Sequence, residues 1–148
     1  MFLRPQTFFL FLGLVSMVLL AFIPSFEVRW LGETAQASYL FHWTLKKVNF
    51  WYYLWQISGG LTMLGFFISP FLYKNRIFQM RFNAFVFLFL SLFIVGMFFL
   101  PDQLAQLADG VANIKTTGFL LPLVSLISLV IANKAIKEDE IKSRIPHK

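Results

Sequence analysis

Phe82-Asn-Ala-Phe-Val-Phe-Leu-Phe-Leu-Ser-Leu-Phe-Ile-Val-Gly-Met-Phe-Phe-Leu-Pro101 is the stretch on which the fold turns: 20 residues, seven of them Phe and none charged. A helix needs roughly 20 residues to cross about 30 Å of hydrocarbon. Inside lipid the backbone must satisfy its own hydrogen bonds, and a run of this length does so as a helix. Three more charge-free stretches lie on either side, at 5–26, 48–73 and 116–133, so all 13 Lys and Arg and all 7 Asp and Glu fall elsewhere. Random scattering does not produce such segregation. The reading is an all-α integral membrane protein, a bundle of four transmembrane helices over about 6–24, 51–73, 82–100 and 117–134. Residues 1–148 are expected to form a single membrane domain with a cytoplasmic tail over 135–148.

Composition agrees. The chain is 58% hydrophobic and 14% charged, with a mean hydropathy of +0.70, whereas soluble domains carry about 25% charged residues. It has no cysteine, which excludes a disulfide framework, a thiol nucleophile, a cysteine-based zinc site and an iron–sulfur cluster. Pro24 and Pro101 are expected to close helices one and three, Pro122 to be tolerated early in helix four, and Pro70 to bend helix two near its end. Leu20-Ala-Phe-Ile-Pro24 lacks the Ala-x-Ala pattern of a signal-peptidase site, so the first span is expected to stay as an anchor. Trp30, Trp43, Trp51 and Trp55, with Tyr39, Tyr52 and Tyr53, form an aromatic belt at one interface, and Tyr73 marks the other.

Orientation follows from the Lys and Arg of the connections. Arg4, Lys74, Arg76, Arg81, Lys134, Lys137, Lys142, Arg144 and Lys148 fall on one side; Arg29, Lys46, Lys47 and Lys115 fall on the other. Nine against four places both termini in the cytoplasm. In the outer loop 27–47, Phe26, Val28 and Trp30 alternate with Glu27 and Arg29, Tyr39 to Trp43 is aromatic and β-prone, and Gly32-Glu33-Thr34 between them reads as a turn, so a small β-hairpin is expected there. A lone hairpin is marginal and needs support from the helix ends or a partner. Leu104, Leu107, Ala108 and Val111 stand at helical spacing, which suggests a short interfacial helix ending near Gly110. The tail from Lys134 reads as a continuation of helix four, with Lys134–Glu138 and Glu138–Lys142 at i,i+4.

Chemistry is scarce. A proton or ion pathway needs ionisable groups within the bilayer, and the spans hold none. His42 and His147 lie outside the spans, where solvation is the simpler role than haem or metal ligation. Ser16, Ser58, Ser91, Ser125 and Ser128 have no membrane histidine or carboxylate to activate them. No phosphate-binding glycine loop or zinc spacing occurs. Glu27, Glu33, Asp102 and Asp109 read as solvated acids, and the aromatics that nucleic-acid binding would use are in lipid. The expectation is therefore no catalytic residue, no cofactor, no metal and no nucleic-acid partner. An enzyme would need loop groups such as Glu33, His42 or Asp102. Gln56 is expected to make an interhelical hydrogen bond; Asn49, Asn83 and Asn133 are expected to cap helix ends or touch headgroups.

Packing is what remains. Ser58, Thr62, Gly65 and Ser69 share one face of helix two. Gly118, Ser125, Ser128, Ala132 and Ala135 share one face of helix four. Small residues let backbones approach closely in lipid, so both stripes are assigned to helix packing. Phe82, Phe85, Phe87, Phe89, Phe93, Phe98 and Phe99 are read as an outward surface for lipid or for a larger membrane protein.

Three segments carry a resemblance: Arg4-Pro-Gln-Thr7 before an apolar run, Tyr73-Lys-Asn-Arg76 with Gln79 and Arg81, and Ala132-Asn-Lys-Ala-Ile-Lys137 with Asp139-Glu140. In order and spacing they resemble the Arg-x-Gln-Thr opening, Phe-Lys-Asn-Arg turn and Ala-Asn-Arg-Ala-Ile-x-x-Asp-Glu ending of a four-helix membrane family of unknown function common in Bacteroidota. That resemblance implies an inner-membrane home and no assigned activity. All three segments fall on the cytoplasmic rim, so Arg4, Gln6, Lys74, Asn75, Arg76, Arg81, Asn133, Lys134, Lys137, Asp139 and Glu140 are expected to gather as a surface for lipid headgroups or a partner. The functional expectation is a non-enzymatic small subunit of a larger inner-membrane complex, whether respiratory, secretory or for protein translocation. The alternative is a lipid- or small-molecule-binding protein or transporter, with Gln56 and the outer loop at its mouth.

Overall fold

The structure is a computed structural model that describes residues 4–24, 26–29, 36–38, 50–107, 111–114 and 116–144. Helix α1 spans Pro5–Leu19. Its proline sits where the missing N–H leaves no bond unmade, and Arg4 before it is extended at φ −73°, ψ 138°. The α-helix stops five residues before the expected end at 24. Tight turns replace its last stretch, ending with the Ile23 N–H donating to the Leu19 carbonyl at 2.9 Å. Pro24 then follows, and a proline disfavours helical geometry in the residue before it.

Helix α2 spans Phe50–Ile68. It gives way to a 3-10 turn over Ser69–Leu72, with Pro70 in its first positions, rather than running on to Tyr73. Helix α3 spans Arg76–Leu107 and is longer at both ends than the expected 82–100. Asn75 caps its start, its Oδ1 accepting from the Phe78 N–H at 3.2 Å. Pro101 does not close this helix but lies inside it. An interior proline costs about 3 kcal/mol; here Pro101 and Ala105 are buried, and two strands pack on that end of α3.

The interfacial helix expected to follow Pro101 and end near Gly110 is not a separate element: residues 104–107 are the last turn of α3, 108–110 lie outside the described residues, and Val111 opens a strand. Strands β1 (Phe26–Arg29), β2 (Gln36–Ser38) and β3 (Val111–Ile114) form one sheet in the order β2-β1-β3. Both pairings are antiparallel, with Phe26 opposite Ser38 on one side and Ile114 on the other. β1 stands where the hairpin expectation put its first strand, but its described partner is 36–38, ahead of the expected Tyr39–Trp43, which lies with the turn at 32–34 outside the described residues. β3 supplies the third strand that a two-stranded hairpin lacks. Trp30, Glu33, Tyr39, His42, Trp43, Lys46, Lys47, Asn49, Asp109, Lys115 and His147 also lie outside the described residues.

Helix α4 spans Thr116–Arg144, with Pro122 in its second turn, so residues 135–144 of the expected tail are its final turns. Its ion pair is Glu140–Arg144 at 2.9 Å, not Lys134–Glu138 or Glu138–Lys142. The helices pack as a ring: α1 on α4, α4 on α3, α3 on α2 and α2 on α1. The three strands cluster at one end of the bundle, and the α2–α3 turn lies at the other, beside the start of α1 and the end of α4. Among the described residues two helices, over Arg76–Gln103 and Gly118–Arg144, are long and apolar enough to cross a membrane, and α1 is a shorter apolar helix. The first turns of α2 carry Trp51, Tyr52, Tyr53, Trp55 and Gln56, which lower its hydropathy.

Candidate functional site

The turn end of the bundle holds a buried polar layer. Ser69, fully buried at the end of α2, donates its hydroxyl to Asn83 Oδ1 on α3. Asn83, also fully buried, donates from Nδ2 to Asn133 Oδ1 on α4 at 3.0 Å. Gln79 Nε2 donates to the Ser69 carbonyl at 2.8 Å. Side-chain amides thus tie three helices at one depth. Asn83 and Asn133 are not the helix caps they were expected to be but cross-links. Gln6 and Gln79 are each 1% exposed, and the Oε1 of each has no hydrogen-bond partner among the described residues. An unpaired buried acceptor costs about 1–3 kcal/mol.

Outside this layer lies a polar cleft of about 410 Å³ lined by Arg4, Tyr73, Lys74, Asn75, Arg76, Ile77, Glu140 and Ser143. The three segments that carried the family resemblance all contribute to its wall. Arg76 is held in place by donating from Nη1 to the Asp139 carbonyl at 3.0 Å, which braces the α2–α3 turn against α4. Ser143 donates to the Glu140 carbonyl at 2.8 Å, and the Glu140 carboxylate accepts from Arg144. Of the other expected rim residues, Gln6 is buried and Asn133 belongs to the polar layer. Arg81, Lys134 and Lys137 are exposed and do not line the cleft.

The small-residue stripes face inward. Ser58, Thr62 and Gly65 are buried on α2 and Ser69 in the 3-10 turn that follows it; Gly118, Ser125, Ser128 and Ala132 are buried on α4. Gly65 lies so close to Val86 of α3 that a Cβ there would collide with its side chain. Ser125 Oγ donates to the Gly13 carbonyl of α1 at 3.1 Å, and Ser58 and Thr62 bond back to their own helix. Gln56 bonds to Tyr52 of its own helix at 3.2 Å, so the expected interhelical partner is replaced by an intrahelical one.

The strand end is aromatic. Trp55 stacks on Phe93 with ring centroids 4.7 Å apart and donates from Nε1 to the Phe93 carbonyl at 3.0 Å. Phe26 and Tyr52 lie 5.7 and 5.9 Å from the same indole. Phe93, expected on the outer surface, is therefore fully buried, whereas Phe85, Phe87, Phe98 and Phe99 are exposed. Between α2 and α3 an apolar groove of about 390 Å³ runs past Trp51, Trp55, Ser58, Phe89 and Gly96 to Gln103. Among the described residues no three His, Asp or Glu side chains come together as metal ligands.

These features define a class: a four-helix bundle capped by a three-stranded sheet, with a polar layer and a basic cleft at the opposite end. The chain belongs to the DUF4293 family, a domain of unknown function, which matches residues 3–143 and so includes α1, the turn and nearly all of α4. Membership of an uncharacterised family is what the resemblance implied. No curated protein and no solved structure matches the chain.

Proposed function

We propose that all four helices cross the bacterial inner membrane with both termini in the cytoplasm, and that the protein acts by contact, as a small non-enzymatic subunit of a larger membrane assembly. One observation carries this reading: the bundle is inside-out relative to a soluble one. Its outward stripes are apolar on every helix, including Phe8, Phe11 and Val15 on α1, Phe50, Ile57 and Leu64 on α2, Phe85, Leu88, Leu92 and Phe99 on α3, and Leu120 and Ile127 on α4. Gln6, Gln56, Thr62, Gln79 and Asn83 face inward instead. A soluble monomer rarely exposes contiguous apolar patches beyond a few hundred Å²; lipid or protein must cover these. The 15 residues of α1 rise about 22 Å, and its terminal turns add the rest of a crossing. The Bacteroidota-type inner membrane is the host that the resemblance supplies, and the Lys and Arg asymmetry supplies the orientation.

Because the chain has no cysteine, single introduced thiols test this directly. Glu27→Cys is expected to react with a membrane-impermeant maleimide in intact cells, and Lys142→Cys only after lysis. Labelling of both in intact cells, or extraction without detergent, refutes the topology. A photo-crosslinking residue at Leu88, Ile127 or Leu64 is expected to give one discrete protein adduct from one face; lipid adducts from every face refute the subunit role. The α2–α3 groove favours a second reading, a site for a lipid chain or another apolar molecule, which predicts ordered ligand beside Trp55 and Gly96.

A further inference from the structure

We propose that the cleft between Arg4, the α2–α3 turn and the end of α4 holds the phosphate of one phospholipid headgroup. This inference rests on the membrane reading above. Arg4, Lys74 and Arg76 bring three cations to one hollow whose single carboxylate among the described residues, Glu140, is already engaged by Arg144. The hollow is thus net positive without being filled by its own counter-charge. A guanidinium offers five donors in a planar fork that fits phosphate oxygens. Arg76 spends Nη1 on the Asp139 carbonyl, which orients the group and leaves its remaining donors for a ligand. The first turn of α3 starts in the same wall, adding the positive end of a helix.

The walls also say where the ligand comes from. Ile77 lines the cleft, and Phe71 and Phe78, 70% and 52% exposed, stand beside the same turn. A soluble phosphate has no use for an apolar border; a diacylglycerol phosphate does, because its chains leave the cleft along that border. At about 410 Å³ the hollow has room for more than the phosphate alone. Basic residues near a membrane surface attract anionic lipid generally, at about 1 kcal/mol each. A built site differs from that diffuse attraction by being sensitive to position as well as charge. Arg81 and Lys142 are exposed cations on the same end that do not line the cleft, so they separate the two.

The test uses full-length protein, delipidated in mild detergent and titrated with phosphatidylethanolamine, phosphatidylglycerol or inorganic phosphate under native mass spectrometry. One phospholipid is expected to bind at saturation. The double variant Arg4→Gln/Lys74→Gln is expected to weaken that binding at least tenfold, and Arg4→Lys/Lys74→Arg to restore most of it. Arg81→Gln/Lys142→Gln, which removes the same charge, is expected to leave it within twofold. Equal weakening by the two charge-removing pairs overturns the site in favour of diffuse attraction. Displacement of lipid by millimolar inorganic phosphate overturns the lipid source. Failure to bind any lipid by a chain that stays soluble without detergent refutes the membrane reading instead, a result distinguishable from either.

Discussion

At the strand end of the bundle, the indole of Trp55 lies 10° from parallel with the ring of Phe93, and Phe26 brings the sheet against it. At the turn end the neighbouring helix pairs meet through amides: Ser69 to Asn83, Asn83 to Asn133, Gln79 to the Ser69 backbone. One end depends on shape, where many weak contacts add up and volume matters most. The other depends on partners, where a few directional bonds matter and the loss of one strands another group. In a bilayer the second kind is weaker than a low dielectric suggests, about 0.6 kcal/mol per interhelical bond on average, because the unfolded chain also finds partners. The contrast therefore predicts that the aromatic end dominates stability and the amide end dominates alignment.

Trp55→Ala is the harshest way to test that contrast. It removes the central ring of the cluster, and core Trp→Ala changes cost about 3–5 kcal/mol. Thermal unfolding in detergent is expected to show the largest fall in Tm of any single change considered, with Trp55→Phe recovering most of it. A loss under 1 kcal/mol would break the comparison. Next, Asn83→Ala is expected to cost about 1–2 kcal/mol, since it leaves Ser69 and Asn133 without their partner. A double-mutant cycle with Asn133→Ala sharpens this: the coupling is expected near 0.6 kcal/mol, and zero coupling would remove Asn83–Asn133 from the account. Smallest of all, Arg144→Ala breaks an ion pair whose arginine is 67% exposed, and unfolding is expected to shift by a few tenths of a kcal/mol or less.

Much of this architecture was legible as the absence of charge. The four helices sit on the four charge-free stretches, and the alternation at Phe26 and Val28 marked the strand β1, though its described partner at 36–38 lies ahead of the expected Tyr39–Trp43. What escaped was whatever depended on which of two similar faces turns inward. On α3, Val86, Leu90, Phe93 and Met97 are buried while Phe85, Leu88, Leu92 and Phe99 are exposed. Both stripes are apolar at helical spacing, so periodicity has nothing to separate. β3 escaped because Val111 completed a helical spacing with Leu104, Leu107 and Ala108, and because its partner is the distant β1. Pro101 misled for a related reason: a proline rule is local, and the packing of β1 and β3 on α3 is not. The rim was legible as a set of positions, but charge alone did not separate Arg4, Lys74 and Arg76, which share a hollow, from Arg81, Lys134 and Lys137, which do not. Nor did it show that Asn83 turns toward Asn133, since an asparagine at a predicted helix end has an ordinary use as a cap.

From Asn133 to Arg144 helix α4 continues without a glycine or a proline, a rise of roughly 16 Å. A rod without a joint cannot bend in one place and stay still in another. Any load on its far tip is shared by two ties to α3, the Asn133–Asn83 contact and, part-way along, Arg76 gripping the Asp139 carbonyl. A molecule that pushed on that tip would thus shift α3 and α4 together, with no hinge to absorb the stroke.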